Sequence, residues 1–383
     1  MKRFAFIIHP ITAADVTRKF PWMGYFSESA IEMATRYMPP VKASYIEGVR
    51  SPYAVVDGFF IACPLTSKQM VTLPEDYVLG RIEKACQKAV KMGAEIIGLG
   101  AMTSVVGEGG LRLAQRLPVP VTTGNSYTVA IAVEGLYEAM KLMDRTIEDS
   151  KAVVVGATGS IGAICSRLLA KNVKELTLLA RKTEPLYRLR YRILNESGLA
   201  VTVTTSMKEA LRDADLIVTV SSAADAIIEP AYLKSGAVVC DVARPRDVAK
   251  AVAHERPDVL VIDGGVVEVP STVDFRFNFG FPPGLSYACM AETMILALED
   301  RRESFSLGRE LSLEKVEEIS LLAQKHGFSL AGLRSFDRPL TEIDIMKVKQ
   351  TMSSHQKMLQ KGNNVLVDNI LQPRYNTKLK MVD

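Results

Sequence analysis

The sequence predicts an α/β fold in two domains, and three observations carry that prediction. Its 383 residues exceed the roughly 100–200 of one ordinary domain. Short runs rich in Val, Ile and Leu alternate with helix-length periodic segments, the pattern of a mainly parallel sheet covered by helices. From Lys151 onward this alternation sharpens into a series of short apolar runs, as strands buried on both faces of a doubly wound sheet require.

In chain order, residues 4–9 read as a strand and 53–62 as extended. Residues 74–93 form a helix with Val78, Ile82, Cys86, Ala89 and Val90 on one face and Gly93 as its stop. Residues 95–99 are a strand, the Gly-rich stretch through Gly110 a loop, and 120–123 a further short strand. A long apolar helix then runs over 126–143. The next strands fall at 152–155, 176–180, 201–205, 216–220, 237–241 and 259–262. Pro282-Pro283-Gly284 forces a break, after which 285–298 reads as one apolar helix. Ser312 to His326 is another, closed by Gly327. The expected organisation is an α/β substrate domain (1–149 and 272–333), a cofactor domain inserted at 150–271, and an extension at 334–383. The C-terminal helices return to the first domain.

Composition excludes several classes. With 48% hydrophobic and 23% charged residues the chain sits near the globular average, away from disordered, collagenous or disulfide-scaffold proteins. The net charge of +4 is too mild to indicate nucleic-acid binding. It is also local: from Arg334 onward nine basic residues face five acidic ones, so residues 1–333 sum to zero. The five cysteines are scattered without zinc-site spacing, and the four histidines show no ligand spacing, so no metal is expected. Phe4 to Ile8 is too short for a signal core, and no run approaches a membrane span. A cytoplasmic setting is expected.

The strand at 152–155 leads into Gly156-Ala157-Thr158-Gly159-Ser160-Ile161-Gly162 and then a helix. Strand, glycine turn and helix in register make a Rossmann-type dinucleotide site. The glycines let the backbone approach a pyrophosphate, and the helix N-terminus supplies N–H donors. The next strand ends at Arg181-Lys182, where an NAD site wants an acid. Two cations suit a 2′-phosphate and so favour NADPH. Ser221, after the fourth strand of this domain, leaves room for the nicotinamide ribose.

Two dehydrogenase patterns are poorly met. Tyr137 and Lys141 have short-chain-dehydrogenase spacing but precede the glycine loop, and Pro64 to Lys68 lacks the Asn and internal Pro of shikimate-type enzymes. Cys289 is placed in the first turns of its helix, where dipole and N–H groups favour a thiolate that attacks thioesters or aldehydes. Glu292, three residues on, opposes this.

Several segments, in order along 1 to about 333, resemble the long-chain acyl-(acyl-carrier-protein) reductases of cyanobacteria. These are Thr122-Thr123-Gly124-Asn125 with Thr128, the 156–162 loop, Leu179-Ala180-Arg181, Ser286 to Glu292, Phe305 to Arg309 and Lys325 to Phe328. The resemblance implies NADPH-dependent reduction of a fatty acyl thioester, with Cys289 carrying the acyl group and a fatty aldehyde as product. It also suggests that Tyr25 lines the acyl channel. Ser104 and Asn125, after strands at the ligand edge, are candidate donors to the thioester oxygen, or caps of the following helices. Two other readings stay open: a dehydrogenase of a small hydroxy or keto compound without a covalent step, and a non-catalytic NADP-binding regulator. The expected partner is an acidic acyl-carrier protein, or acyl-CoA, with Arg188, Arg190 and Arg192 or the basic extension as its docking charge. The apolar positions Ile343, Met346, Val365, Leu366, Val367, Ile370 and Leu371 suggest that the extension is a docking arm for a carrier or partner subunit. A homo-oligomer and peripheral membrane contact are both compatible with the sequence.

Overall fold

In the computed structural model, described for residues 2–223, 225–278 and 281–354, the chain folds into two α/β layers joined by shared helices. The first sheet contains β1 (Arg3–Ile8), β2 (Val41–Arg50), β3 (Val55–Ala62), β4 (Ile96–Leu99) and β5 (Val121–Thr122), in the order β2-β3-β1-β4-β5. Only β2 runs antiparallel to its neighbour. Its one outer face packs helix α1 (Glu75–Lys91) through Val78, Leu79, Ile82 and Cys86 against Ala5, Ile7 and Ile61.

Helix α2 (Asn125–Leu142) is apolar almost all round because it is buried from two sides. Tyr127 and Ile131 join the core beneath the first sheet, with Phe4 and Phe6. Val129, Leu136 and Met140 face the second sheet instead. That sheet holds β6 (Lys151–Val155), β7 (Glu175–Leu179), β8 (Thr202–Thr204), β9 (Leu216–Thr219), β10 (Val238–Asp241) and β11 (Leu260–Asp263). All six are parallel in the order β11-β10-β9-β6-β7-β8, so the winding reverses between β6 and β9. Helix α3 (Ser160–Leu169) follows β6, and α4 (Thr183–Ser197) follows β7.

The predicted helix at 285–298 differs in its first turn. β12 (Val266–Glu268) pairs antiparallel with β13 (Leu285–Tyr287) and with β14 (Ser329–Leu330), so residues 285–287 are a strand. Gly284, at φ +85°, turns the chain into it. Helix α5 (Ala288–Leu298) then lies under the first sheet, with Met290, Met294 and Ile295 in its core, and α6 (Leu313–His326) packs beside it. Ser312 caps α6 and Gly327 closes it in the left-handed region, as the sequence predicts.

The extension is not a free arm within the described residues. Arg334–Ser335 and Arg338–Pro339 form a hairpin, and the Asp337 N–H donates to Asp263 at 2.8 Å. Ile345, Val348 and Met352 pack into the core of the second sheet. Its basic charge is partly spent: Arg334 is buried and Lys349 pairs with Asp144. Ile343 and Met346 stay exposed, while Val365, Leu366, Val367, Ile370 and Leu371 lie outside the described residues.

Candidate active site

The glycines of the loop after β6 have separate structural reasons. Gly156 has φ +79°, and a Cβ there would sit 2.9 Å from the Val220 carbonyl oxygen. A Cβ on Gly162 would sit 2.3 Å from the Gly156 oxygen, so only glycine lets α3 pack on its own turn. Gly159 is more open, its nearest neighbour being the Gly156 oxygen at 3.3 Å, which leaves its backbone approachable. The first helical bond of α3 runs from the Ala163 N–H to the Gly159 oxygen at 2.9 Å. The N–H groups of Ser160, Ile161 and Gly162 lie ahead of it and point out of the helix N-terminus as anion donors.

This loop borders a cavity of about 1550 Å³ between the two layers, at the edge where the winding of the second sheet reverses. Gly156, Thr158, Gly159, Ser160 and Ile161 line it, as do Arg181, Lys182 and Ser221. Arg181 and Lys182 are exposed and have no ion-pair partner among the described residues. Ser221 is more committed than expected: its hydroxyl donates to Asp247 Oδ1 at 2.5 Å and its N–H to Oδ2 at 2.8 Å. The glycine turn and the helix N-terminus suit the diphosphate of a dinucleotide.

Cys289 is the second residue of α5, half-buried in the cavity wall. The thiolate favoured by its helix position is not what the surroundings of Cys289 favour. Burial pushes the thiol up to about 12 and Glu292 adds to this, outweighing the N–H groups of Met290 and Cys289 and the charge of Arg244. Glu292 is fully buried and has a structural task. It accepts from the Thr122 hydroxyl and from the Tyr127 N–H at 2.8 Å, capping α2 from another helix. Burial raises its own pKa, against those hydrogen bonds. The other four cysteines are buried and free.

Comparisons with known proteins follow this geometry. The Shikimate / quinate 5-dehydrogenase model matches residues 138–264, the second sheet and its approach. The long-chain acyl-(acyl-carrier-protein) reductase of Synechococcus elongatus is 30% identical over 338 residues, covering 84% of this chain and 96% of that one. The chain belongs to that reductase family. The chain is also 32% identical over 364 residues to the aminotransferase PigE of a Serratia species, covering 91% of this chain. The chain spans only 42% of the length of PigE. That match covers enough of the chain to reach past residue 333. A quinate dehydrogenase from Corynebacterium glutamicum, 11% identical, covers 84% of this chain and 98% of that one at a TM-score of 0.35. The family, the parallel sheet and the glycine loop make the protein an NAD(P)-dependent oxidoreductase of Rossmann type.

The remaining expected site residues of this reductase-family chain fare unequally. Ser104 reaches the cavity, but its hydroxyl donates to the Ala101 oxygen at 2.7 Å, and its single proton is then unavailable to an oxyanion. Asn125 neither caps α2 nor stands free. Its amide donates to Ser160 Oγ at 3.0 Å, fastening the first layer to the glycine loop. Tyr25 is 92% exposed on a short 3-10 turn (Pro21–Tyr25) and is absent from the cavity wall, so the channel role fails. Apolar lining comes instead from Phe6 and Ile8, which share a core cluster with Cys289, and from Val16, Phe20 and Met38 elsewhere on the cavity wall. His9 also lines the cavity, yet Nδ1 bonds the Pro10 oxygen at 2.9 Å and Nε2 accepts from the Met102 N–H at 3.1 Å. Burial lowers its pKa, so it is a neutral latch. Arg244 was missed, although Ala243-Arg244-Pro245-Arg246-Asp247 directly after a parallel strand is a charge cluster at the ligand edge. Among the described residues no group of three or more His, Cys, Asp or Glu forms a metal site, and no helix is long and apolar enough to cross a membrane.

Proposed function

We propose that the protein reduces a long-chain fatty acyl thioester, carried by an acyl-carrier protein or CoA, to a fatty aldehyde with NADPH, through an acyl-Cys289 intermediate. The observation that carries this reading is the position of Cys289. It lies on a helix N-terminus in the same cavity as the glycine loop, beside an apolar wall suited to an alkyl chain.

The sulfur attacks the thioester carbonyl, the carrier C–S bond breaks, and the departing carrier thiol takes the Cys289 proton. The thiol, held neutral by its burial, keeps that proton until attack. Bound NADPH would supply hydride for the acyl carbon; with one proton from solvent the aldehyde would then leave and the Cys289 thiol be restored. Arg181 and Lys182 would hold the 2′-phosphate that selects NADPH over NADH. Arg188 and Arg192, on α4 at the cavity edge, offer charge to an acidic carrier.

The match to the Shikimate / quinate 5-dehydrogenase model favours a second reading, reduction of a small hydroxy or keto compound without a covalent step. That match ends before Cys289, and Lys68, the substrate lysine such enzymes would need, is exposed and outside the cavity wall. Incubation with palmitoyl-CoA or palmitoyl-carrier protein, without and then with NADPH, tests the proposal. The expected results are a palmitoyl mass on Cys289 and then palmitaldehyde, both lost in Cys289→Ala with NADPH binding kept. NADPH oxidation by small carbonyls alone, with no adduct, would establish the second reading.

A further inference from the structure

The cavity wall contains a largely buried guanidinium, bonded in part to the Ala243 and Asp241 oxygens and to the Tyr287 side chain, with one terminal nitrogen left without an acceptor. Arg244 follows β10, and its side chain is only 15% exposed. Its Nη1 donates to the Ala243 oxygen at 2.7 Å, whereas Nη2 is buried with no hydrogen-bond partner and lies 3.9 Å from Asp263 Oδ1. The nearby carboxylates are engaged elsewhere. Asp263 pairs with Arg246 and accepts from the Asp337 N–H. Asp247 accepts from Thr219 and Ser221. Asp241 accepts from the N–H groups of Ala243 and Val248 at 3.1 and 3.0 Å, and burial pushes its carboxyl up to about 6, which thins its negative charge. Arg244 also lies over the Tyr287 ring, 5.5 Å from its centroid, and Tyr287 is the N-cap residue of the helix carrying Cys289.

A buried charged donor left without an acceptor is costly, and such a group is retained where a ligand oxygen completes it. We propose that Arg244 is a catalytic residue whose unpaired Nη2 donates to the carbonyl oxygen of the acyl group under attack by Cys289. This rests on the reading of Cys289 as nucleophile. As the new C–S bond forms, the carbonyl electron pair moves onto oxygen, and the guanidinium holds that charge until the carrier thiol departs. The same donor serves again when hydride reaches the acyl carbon. Serine and asparagine side chains that the sequence offered for this task are bonded to Ala101 and Ser160.

The test compares two reactions at one sulfur. Acylation of Cys289 by palmitoyl-CoA without NADPH creates an oxyanion, and alkylation by iodoacetamide does not. Arg244→Gln should slow single-turnover acylation about 10²–10³-fold, the usual loss for one oxyanion donor. Alkylation should fall at least tenfold less, and Arg244→Lys should restore part of the acylation rate. Thermal melting of both variants checks the fold. Equal losses in the two reactions, or no loss in either, overturn the proposal while leaving the acyl-Cys289 reading intact. If wild-type protein acylates nowhere, that reading falls and this one with it.

Discussion

Gly124→Ala is the sharpest test of the site, because the structure leaves no space for one methyl group. Gly124 has φ +74°, and its Cβ would lie 2.3 Å from both Cα and Cβ of Cys289 and 2.6 Å from the Cys289 oxygen. Ordinary carbon contacts begin near 3.5 Å, so the two backbones must part by about 1.2 Å. Neither is free to move: Gly124 accepts from the Thr128 N–H at 3.1 Å, and α5 is anchored by Glu292 to Thr122 and Tyr127. The left-handed conformation costs a non-glycine residue about 1–2 kcal/mol and overpacking about 1–3 kcal/mol, for a loss of about 2–5 kcal/mol. A displacement of about 1 Å at the nucleophile costs on the order of 10²-fold in rate. Urea unfolding and single-turnover acylation measure the two effects. Gly124→Asn, which tolerates positive φ better but carries the same Cβ, should recover part of the stability and none of the rate. An alanine variant with wild-type midpoint and acylation rate would refute the close packing of Gly124 on Cys289.

Arg181→Asp should weaken NADPH binding about 10–100-fold and NADH binding far less, because a charge-assisted bond to phosphate contributes about 1.5–3 kcal/mol; equal losses, read by fluorescence titration, would remove the 2′-phosphate assignment. Asp258 predicts an acid-sensitive contribution. Burial opposes its charge, yet the Arg256 fork, at 2.9 Å on both oxygens, holds the carboxyl down to about 2 from an ordinary 3.8. Since the folded value is depressed, about 2 kcal/mol of stability is present above pH 4 and lost as pH falls from about 4 to 2. Asp258→Asn should unfold more readily at pH 7 and show a smaller loss across that acid window; an unchanged acid profile would contradict this.

The elements legible in the sequence were those whose own residues decide them. Strands β6, β9 and β10 are buried on both faces and announce themselves as apolar runs, and Ser312 and Gly327 carry their capping roles locally. The glycine loop was legible because strand, turn and helix follow one another directly in sequence, although the Val220 oxygen that excludes a side chain at Gly156 is distant. Strand β2 was not, since its pattern is half exposed and only pairing with β3 makes it a strand. The β13 segment looked helical because its apolar run continues into α5, and only pairing with β12 makes its first residues a strand. Side-chain roles were harder for the same reason. Nothing local to Asn125 tells that Ser160, 35 residues away, takes its hydrogen bond. The unspent donor of Arg244 is visible only after every neighbouring carboxylate has been assigned.

Glu292 shows how fold and chemistry share one location. A carboxylate one turn from a nucleophilic sulfur opposes the thiolate, and on chemistry alone it is misplaced. Its acceptors, however, take the Tyr127 N–H at the start of α2 and the hydroxyl of Thr122 at the end of β5. That draws the N-terminus of α2 against the N-terminus of α5, close enough for Gly124 to touch Cys289. Asn125 then reaches Ser160 at the N-terminus of α3. Three helix N-termini, on elements from both layers, thus converge on one cavity. Helix ends of like sign repel, so a buried anion behind them is the electrostatic counterpart such an arrangement requires. The penalty appears as a protonated thiol, and the charge of Arg244, over the Tyr287 ring at the cap of the same helix, works against it. On this account Glu292 and Arg244 are complementary: one assembles the donors around Cys289, and the other restores the positive field that the assembly subtracts.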